Sequence, residues 1–353
     1  AWHTQPGTPL AGTTEVSDVR RWGTQYISPV GEDTSLNNLF EYTGMYIIAS
    51  QDGTNISVDV NADGDTLDAV DVNVTLNQGE SYHVDGGVLQ GATVTATADV
   101  GVNLITGDRQ SAVDSRWYML KPSTEWYSSY MSPAGTVSAA GESSIVVYNP
   151  HGTDLDIEIE TLAGTVSRTV AAGSTFAEAL PQNTPDSAAR VISADGRVFY
   201  AAFAMDTDTT HTTYDWGYSL QPEDVLTEMV LAGWAPGSSD LSQNGSPLWV
   251  TANADTTLYV DFDGDSSTGA LTDPYGRQYD INVSLGRLES LRLYDTVNND
   301  NDQTGTRIYT LDGTDVAVAW GQDPSVAGGG SPYLDMGTVL LPFPLPTVTK
   351  TVA

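Results

Sequence analysis

The sequence contains no cysteine, which excludes disulfide scaffolds, cysteine nucleophiles, thiolate metal centres and iron–sulfur clusters. Lysine is nearly missing too: 2 lysines and 11 arginines stand against 34 aspartates and 12 glutamates, giving a formal net charge of −33. Charged residues total only 17%, below the roughly one quarter usual in globular domains, so bases are scarce rather than acids abundant. A surface of one sign repels phosphate, so no nucleic-acid partner is expected. No apolar run of about 18 residues, the length of a bilayer-spanning helix, occurs, and direct membrane insertion is not expected. The chain opens on Ala1-Trp2-His3 rather than on a basic then apolar stretch, so export with the signal removed is the expectation. What is present favours strands: 40% hydrophobic residues, 34 glycines and 17 tyrosines, with no convincing helical pattern.

Self-comparison gives the architecture. Residues 23–31, GTQYISPVG, return as YSSYMSPAG at 127–135 and more loosely as LAGWAPG at 231–237. Downstream, apolar and polar residues alternate in each copy: Ile56, Val58, Val60; Leu155, Ile157, Ile159; Leu258, Val260, Phe262. Period-two alternation puts each trio on one sheet face. Leu76 to Tyr82, Val170 to Phe176 and Leu285 to Leu291 keep one spacing. A hairpin follows, with Val94, Val191 or Ile308 in its first strand and turns at Asp195-Gly196 and Asp312-Gly313. Connectors bearing aromatics and proline close the copies at 117–122, 216–222 and 332–337.

The fold expected is therefore all-β: three tandem antiparallel, Ig-like β-sandwich modules arranged as a rod, with extended terminal segments. Its divisions are an arm at 1–17, modules at 18–121, 122–221 and 222–341, and a tail at 342–353. Trp22, Trp117, Trp126, Trp216 and Trp234 are expected near the joints between modules, the rival reading being that each sits in its own module's core. Residues 339–344, VLLPFP, read as the opening of a fourth module that no module follows.

The strings YIIASQDGT at 46–54, LNQGESY at 76–82, GATV at 91–94 and TGD at 106–108 resemble modules of large prokaryotic cell-surface proteins related to the N-terminal domain of IgGFc-binding proteins. The resemblance is fullest in the first module, partial in the third and topological in the second. It implies an extracellular structural or adhesive role and brings no catalytic residues. Immunoglobulin binding is not part of what it implies.

The sharpest chemical motif is the acidic loop carrying Asp59, Asn61, Asp63, Asp65, Asp68 and Asp71, with a shorter relative at Asp261, Asp263 and Asp265. Alternate oxygen ligands around a glycine suit Ca²⁺, and structural Ca²⁺ is the cofactor expected; the rival reading is a solvated acidic turn. Asn298 to Asp302 read as a polar loop. The four histidines, His3, His83, His151 and His211, lie far apart and give no zinc or triad spacing. Asn55, Asn73, Asn244 and Asn282 head glycosylation sequons, so glycans join the candidate partners.

The function expected is that of a non-enzymatic extracellular structural protein. It would be a subunit of a cell-surface filament, appendage or coat, assembling through β-strand or domain–domain contacts with itself as a homo-polymer or with neighbouring surface proteins. The alternative is the stalk, or a glycan- or protein-binding module, of a larger adhesin.

Overall fold

The computed structural model describes residues 2–5, 8–14, 16–33, 40–107, 115–135, 142–181, 186–206, 216–240, 245–297, 301–323, 326 and 336–342. Within the expected arm, β1 (Trp2–Gln5) and β2 (Thr8–Ala11) pair as a hairpin. The first unit holds β3 (Gly23–Ile27), β4 (Tyr42–Ala49), β5 (Thr54–Asp59), β6 (Val72–Leu76), β7 (Ser81–Val84), β8 (Thr93–Gly107) and β9 (Ser115–Leu120). In the second are β10 (Ser129–Ser132), β11 (Glu142–Tyr148), β12 (Leu155–Thr161), β13 (Gly164–Val170), β14 (Thr175–Ala179), β15 (Ala189–Ser193), β16 (Tyr200–Asp206), β17 (Trp216–Ser219) and β18 (Gln221–Pro222). The third comprises β19 (Met229–Leu231), β20 (Leu248–Ala252), β21 (Thr256–Asp261), β22 (Leu271–Thr272), β23 (Gln278–Tyr279), β24 (Ile281–Leu285), β25 (Leu291–Leu293), β26 (Arg307–Tyr309), β27 (Val316–Gly321) and β28 (Gly337–Leu340).

All these pairings are antiparallel, and one topology recurs. The second unit has sheets β13-β12-β15-β10-β18 and β14-β11-β16-β17; the third has β24-β21-β26-β19 and β25-β20-β27-β28. In the first unit the same two orders, β6-β5-β8-β3 and β7-β4-β8-β9, share one strand. The 15-residue β8 pairs with β3 and β5 through its first residues and with β4 and β9 through its last.

This corrects the expected hairpin. β15 and β16 lie in different sheets, as do β26 and β27, so Asp195-Gly196 and Asp312-Gly313 carry the chain between layers rather than back along one. Both glycines take the left-handed conformation such a turn needs, with φ of 79° and 81°. Two alternating strands around an Asp-Gly pair look alike in sequence whether the second returns or crosses. The fourth-module reading is corrected as well: Val339 and Leu340 pair with Ala319 and Val318, and Pro342 bridges Val230 as Pro222 meets Tyr130. Leu340-Leu341-Pro342 thus closes the third unit as Leu220-Gln221-Pro222 closes the second. Of the expected tail, residues 343–353 lie outside the described residues, as do 332–335 of the third connector.

All nine alternating residues named above are buried. The clusters they join do not stop at one unit. Ile145, Val147, Phe203 and Met205 face their own core, while the intervening Val146, Tyr148, Tyr200, Ala202 and Ala204 belong to the core of the first unit. Likewise Trp249, Ala319 and Val339 leave the third unit's core and join the second's. One sheet of each following unit is therefore apolar on both faces and is covered twice. Glycines make the approach close: a Cβ on Gly217 would lie 2.5 Å from the Tyr118 hydroxyl, and on Gly337 1.9 Å from the Trp216 ring.

Of the expected joint tryptophans, Trp126 and Trp216 are in place, the first against Tyr148 and Tyr200 and the second against Trp249. Trp22 and Trp117 instead lie against Gly101 and Gly12. Trp234 is 47% exposed, edge-on to Trp320. Trp216→Ala is expected to cost about 3–5 kcal/mol, the usual loss for a buried aromatic, read from urea unfolding. Gly337→Val should destabilise comparably by overfilling the same slot. A loss below about 1 kcal/mol in both would mean the joint relaxes around the gap.

Candidate functional site

Two regions carry the chemistry: the joints and the acidic loops. At the first joint, the Thr175 hydroxyl donates to the Pro29 carbonyl. At the second, the Ser290 hydroxyl donates to the Pro133 carbonyl at 2.6 Å. Pro29 and Pro133 are the repeated prolines of the SPVG and SPAG strings, and Thr175 and Ser290 each immediately precede the repeated Phe176 and Leu291. One hydroxyl-to-carbonyl bond thus recurs at the same place in two successive joints.

Around it the joints differ. In the first, Arg116 Nε donates to the Met205 carbonyl at 3.1 Å, and Ser219 to the Met119 carbonyl at 2.7 Å. Lys121 Nζ donates to Gln221 Oε1 at 3.0 Å. Burial holds the Lys121 ammonium down at about 7, with Arg21 adding repulsion. In the second joint, Trp216 Nε1 donates to the Gln322 carbonyl at 3.1 Å. Arg287 pairs with Glu160 at 2.5 Å. Arg292 pairs with Asp323 at 2.8 Å and with Asp186, its guanidinium over the Trp249 ring. Beside this joint is a cavity of about 670 Å³, lined by Leu162 and Asp186 of the second unit and Leu285, Arg292, Tyr294 and Val326 of the third.

The acidic loops follow equivalent strands. Asp59 ends β5 and Asp261 ends β21, both buried. Asp59 accepts from the backbone of Asp63 at 3.2 Å and Gly64 at 2.9 Å. Asp261 accepts from Gly264 and Ser266, both at 3.1 Å. Asp71 and Asp280 play one part, accepting from the backbone of Val60 and Phe262 at 2.9 and 2.8 Å. Asn61 donates to Asp63 at 3.0 Å and Asp68 at 2.9 Å, and Asp65 accepts from Leu67 at 2.9 Å.

The two loops differ in how their carboxylates converge. Among the described residues, the three acids whose ligand oxygens come within 4.8 Å of one another are Asp261, Asp263 and Asp265. Those of the first loop are spent mainly on its own backbone, although Asp71 Oδ2 is buried without a hydrogen-bond partner. Burial and the adjacent Asp263 push Asp261 up to about 6. Arg307, at 2.5 Å, pulls it the other way. Donors from Ser267 and Thr268 hold Asp265 down at about 2. Three carboxylates at this spacing are the donor chemistry of a hard divalent cation. The joints were missed as sites in the sequence, where only the repeated prolines hinted at them.

A protein-family model described as IgGFc binding protein matches residues 12–224, more than half of the chain. The chain belongs to that family. The match spans the first and second units and bears out the resemblance read from the sequence, which is fullest in the first module, partial in the third and topological in the second. No curated protein matches the chain. No helix among the described residues is long and apolar enough to cross a membrane.

Lys121 gives a pH dependence whose sign is fixed. Its folded value of about 7 lies below the roughly 10.4 of an unfolded lysine, so the unfolded chain binds more protons between those values. Stability is expected to rise from about pH 7 to about pH 10, seen as a rising urea midpoint, and Lys121→Met should remove that rise. An equal slope in both proteins would place its cause elsewhere.

Proposed function

We propose that the chain is a non-enzymatic extracellular structural protein. In this reading three Ig-like β-sandwich modules form a stiff rod that serves as a subunit of a cell-surface filament, appendage or coat. The observation that carries it is the doubly covered sheet at each joint, closed by the same hydroxyl-to-proline bond. A flexible linker would bury none of this; a rod must. Membership of the IgGFc binding protein family agrees with a surface protein that contacts other proteins. Subunits would meet through strand or domain–domain contacts.

Ca²⁺ belongs to the same reading and would be held by Asp261, Asp263 and Asp265, stiffening the third unit's loop. A cation there would replace the proton that Asp261 holds below about pH 6, so binding should weaken on acidification. Calorimetric titration at pH 7.5 and 5 is expected to show this dependence, and Asp263→Asn with Asp265→Asn should abolish binding. Unchanged heats in the double variant would assign any calcium to another site.

A second reading, the binding module of a larger adhesin, is favoured by the cavity beside the second joint. There the Tyr294 hydroxyl is buried with no hydrogen-bond partner among the described residues. Electron microscopy and sedimentation of the full chain, beside a variant ending at Pro342, separate the two. Ordered polymers lost on truncation support the subunit; a rod-shaped monomer under every condition overturns it in favour of the adhesin. Small-angle scattering showing independently moving units would sink the rod itself.

A further inference from the structure

We infer that Asn55, Asn73 and Asn282 are N-glycosylation sites, and that the outer face of the β6-β5-β8-β3 sheet and of its counterpart in the third unit is a glycan-bearing face. The sequons are Asn55-Ile56-Ser57, Asn73-Val74-Thr75 and Asn282-Val283-Ser284. Two of them are one feature occurring twice. β6 reads VNVTL and β24 reads INVSL, both are terminal strands in their sheet orders, and the exposure alternates identically along both. In each, the asparagine and the sequon hydroxyl stand in solvent while the closing leucine is buried.

Asn55 is on the neighbouring strand, exposed on the same face. Its sequon runs antiparallel to that of Asn73, with Asn55 opposite Thr75 and Ser57 opposite Asn73. The Thr75 hydroxyl donates to Asn55 Oδ1 and the Ser57 hydroxyl to Asn73 Oδ1, each at 2.7 Å. The amide oxygens tie the strands together, and the nitrogens, to which a glycan is joined, do not. Asn73 Nδ2 donates to the Thr66 carbonyl at 2.7 Å, and Asn282 Nδ2 to the Tyr279 hydroxyl at 3.0 Å. An amide nitrogen has two hydrogens and keeps one after glycosylation, so either bond is compatible with the modification.

The placement also respects the joints. Contacts between units use the outer faces of the β11-β16 and β20-β27 sheets, which carry no sequon. Asn55, Asn73 and Asn282 stand instead on β5, β6 and β24, strands of the other layer, and Val283 and Ser284 of the last sequon also line the cavity beside the second joint. Asn244 lies outside the described residues, and the hydroxyl-bearing Ser246 of its sequon is buried.

The step requires an oligosaccharide donor linked through phosphate to a lipid. Asn Nδ2 forms a bond to sugar C1 as the bond from C1 to the phosphate oxygen breaks. The phosphate leaves with the electron pair, and one amide proton is lost to a base.

This inference rests on the extracellular reading above, but its test is separate. Glycopeptide mass spectrometry of the chain purified from the cells that make it should show sugar mass increments on all three asparagines. Ser57→Ala, Thr75→Ala and Ser284→Ala should each remove one increment while leaving the asparagine in place, and Ser57→Thr, which keeps the sequon, should retain it. All three wild-type peptides at unmodified mass would overturn the inference, and that result needs no variant to fold. Scattering on the same preparation reports on the rod: an unmodified stiff rod sinks only this inference, and a glycosylated flexible chain sinks only the other.

Discussion

Everything in this molecule depends on sheets that are apolar on both faces. The β11-β16 layer buries Ile145 and Phe203 on one side and Val146 and Ala202 on the other, and a layer of that kind is stable only when both sides are covered. The second unit therefore needs the first, and the third needs the second, for reasons that lie in side chains rather than in linkers. The close approach is set by residues that have no side chain at all: Gly217 admits Tyr118, and Gly337 admits Trp216.

The polar groups at the joints fix direction and register once burial has supplied the attraction. The bonds from Thr175 to Pro29 and from Ser290 to Pro133 are single neutral contacts, each worth about 1 kcal/mol, too small to hold units together. What they do is select one alignment of two greasy surfaces. Ion pairs of Arg287 with Glu160 and Arg292 with Asp186 add charge to the second joint, and at the first Lys121 is a charge placed where burial opposes it.

Much of this was legible in the sequence, and the gaps have physical causes. The repeat, the all-β class and the buried trios followed from period two, which holds wherever one strand face meets water. Period two fails for β16 and β17, whose near-continuous burial carries no alternation to read. The crossing at Asp195-Gly196 reads as a hairpin in sequence because turn chemistry is local, whereas which sheet the next strand joins is decided by distant partners. Of the acidic loops, the sequence puts the longer one first, because it counts acids and does not show what they bond to. The first loop has more acids, yet its backbone amides consume them, while the shorter loop brings three together.

One feature of the first unit bears on how load would pass through it. Because β8 runs unbroken through both layers, a pull applied to one sheet reaches the other along covalent backbone. In the second and third units the corresponding path is interrupted by the links after β15 and β26. The first unit thus joins its two layers through one hydrogen-bonded strand and the other two join theirs through a turn, so a load on one layer would meet a ladder of hydrogen bonds in the first copy and a short connecting link in the others.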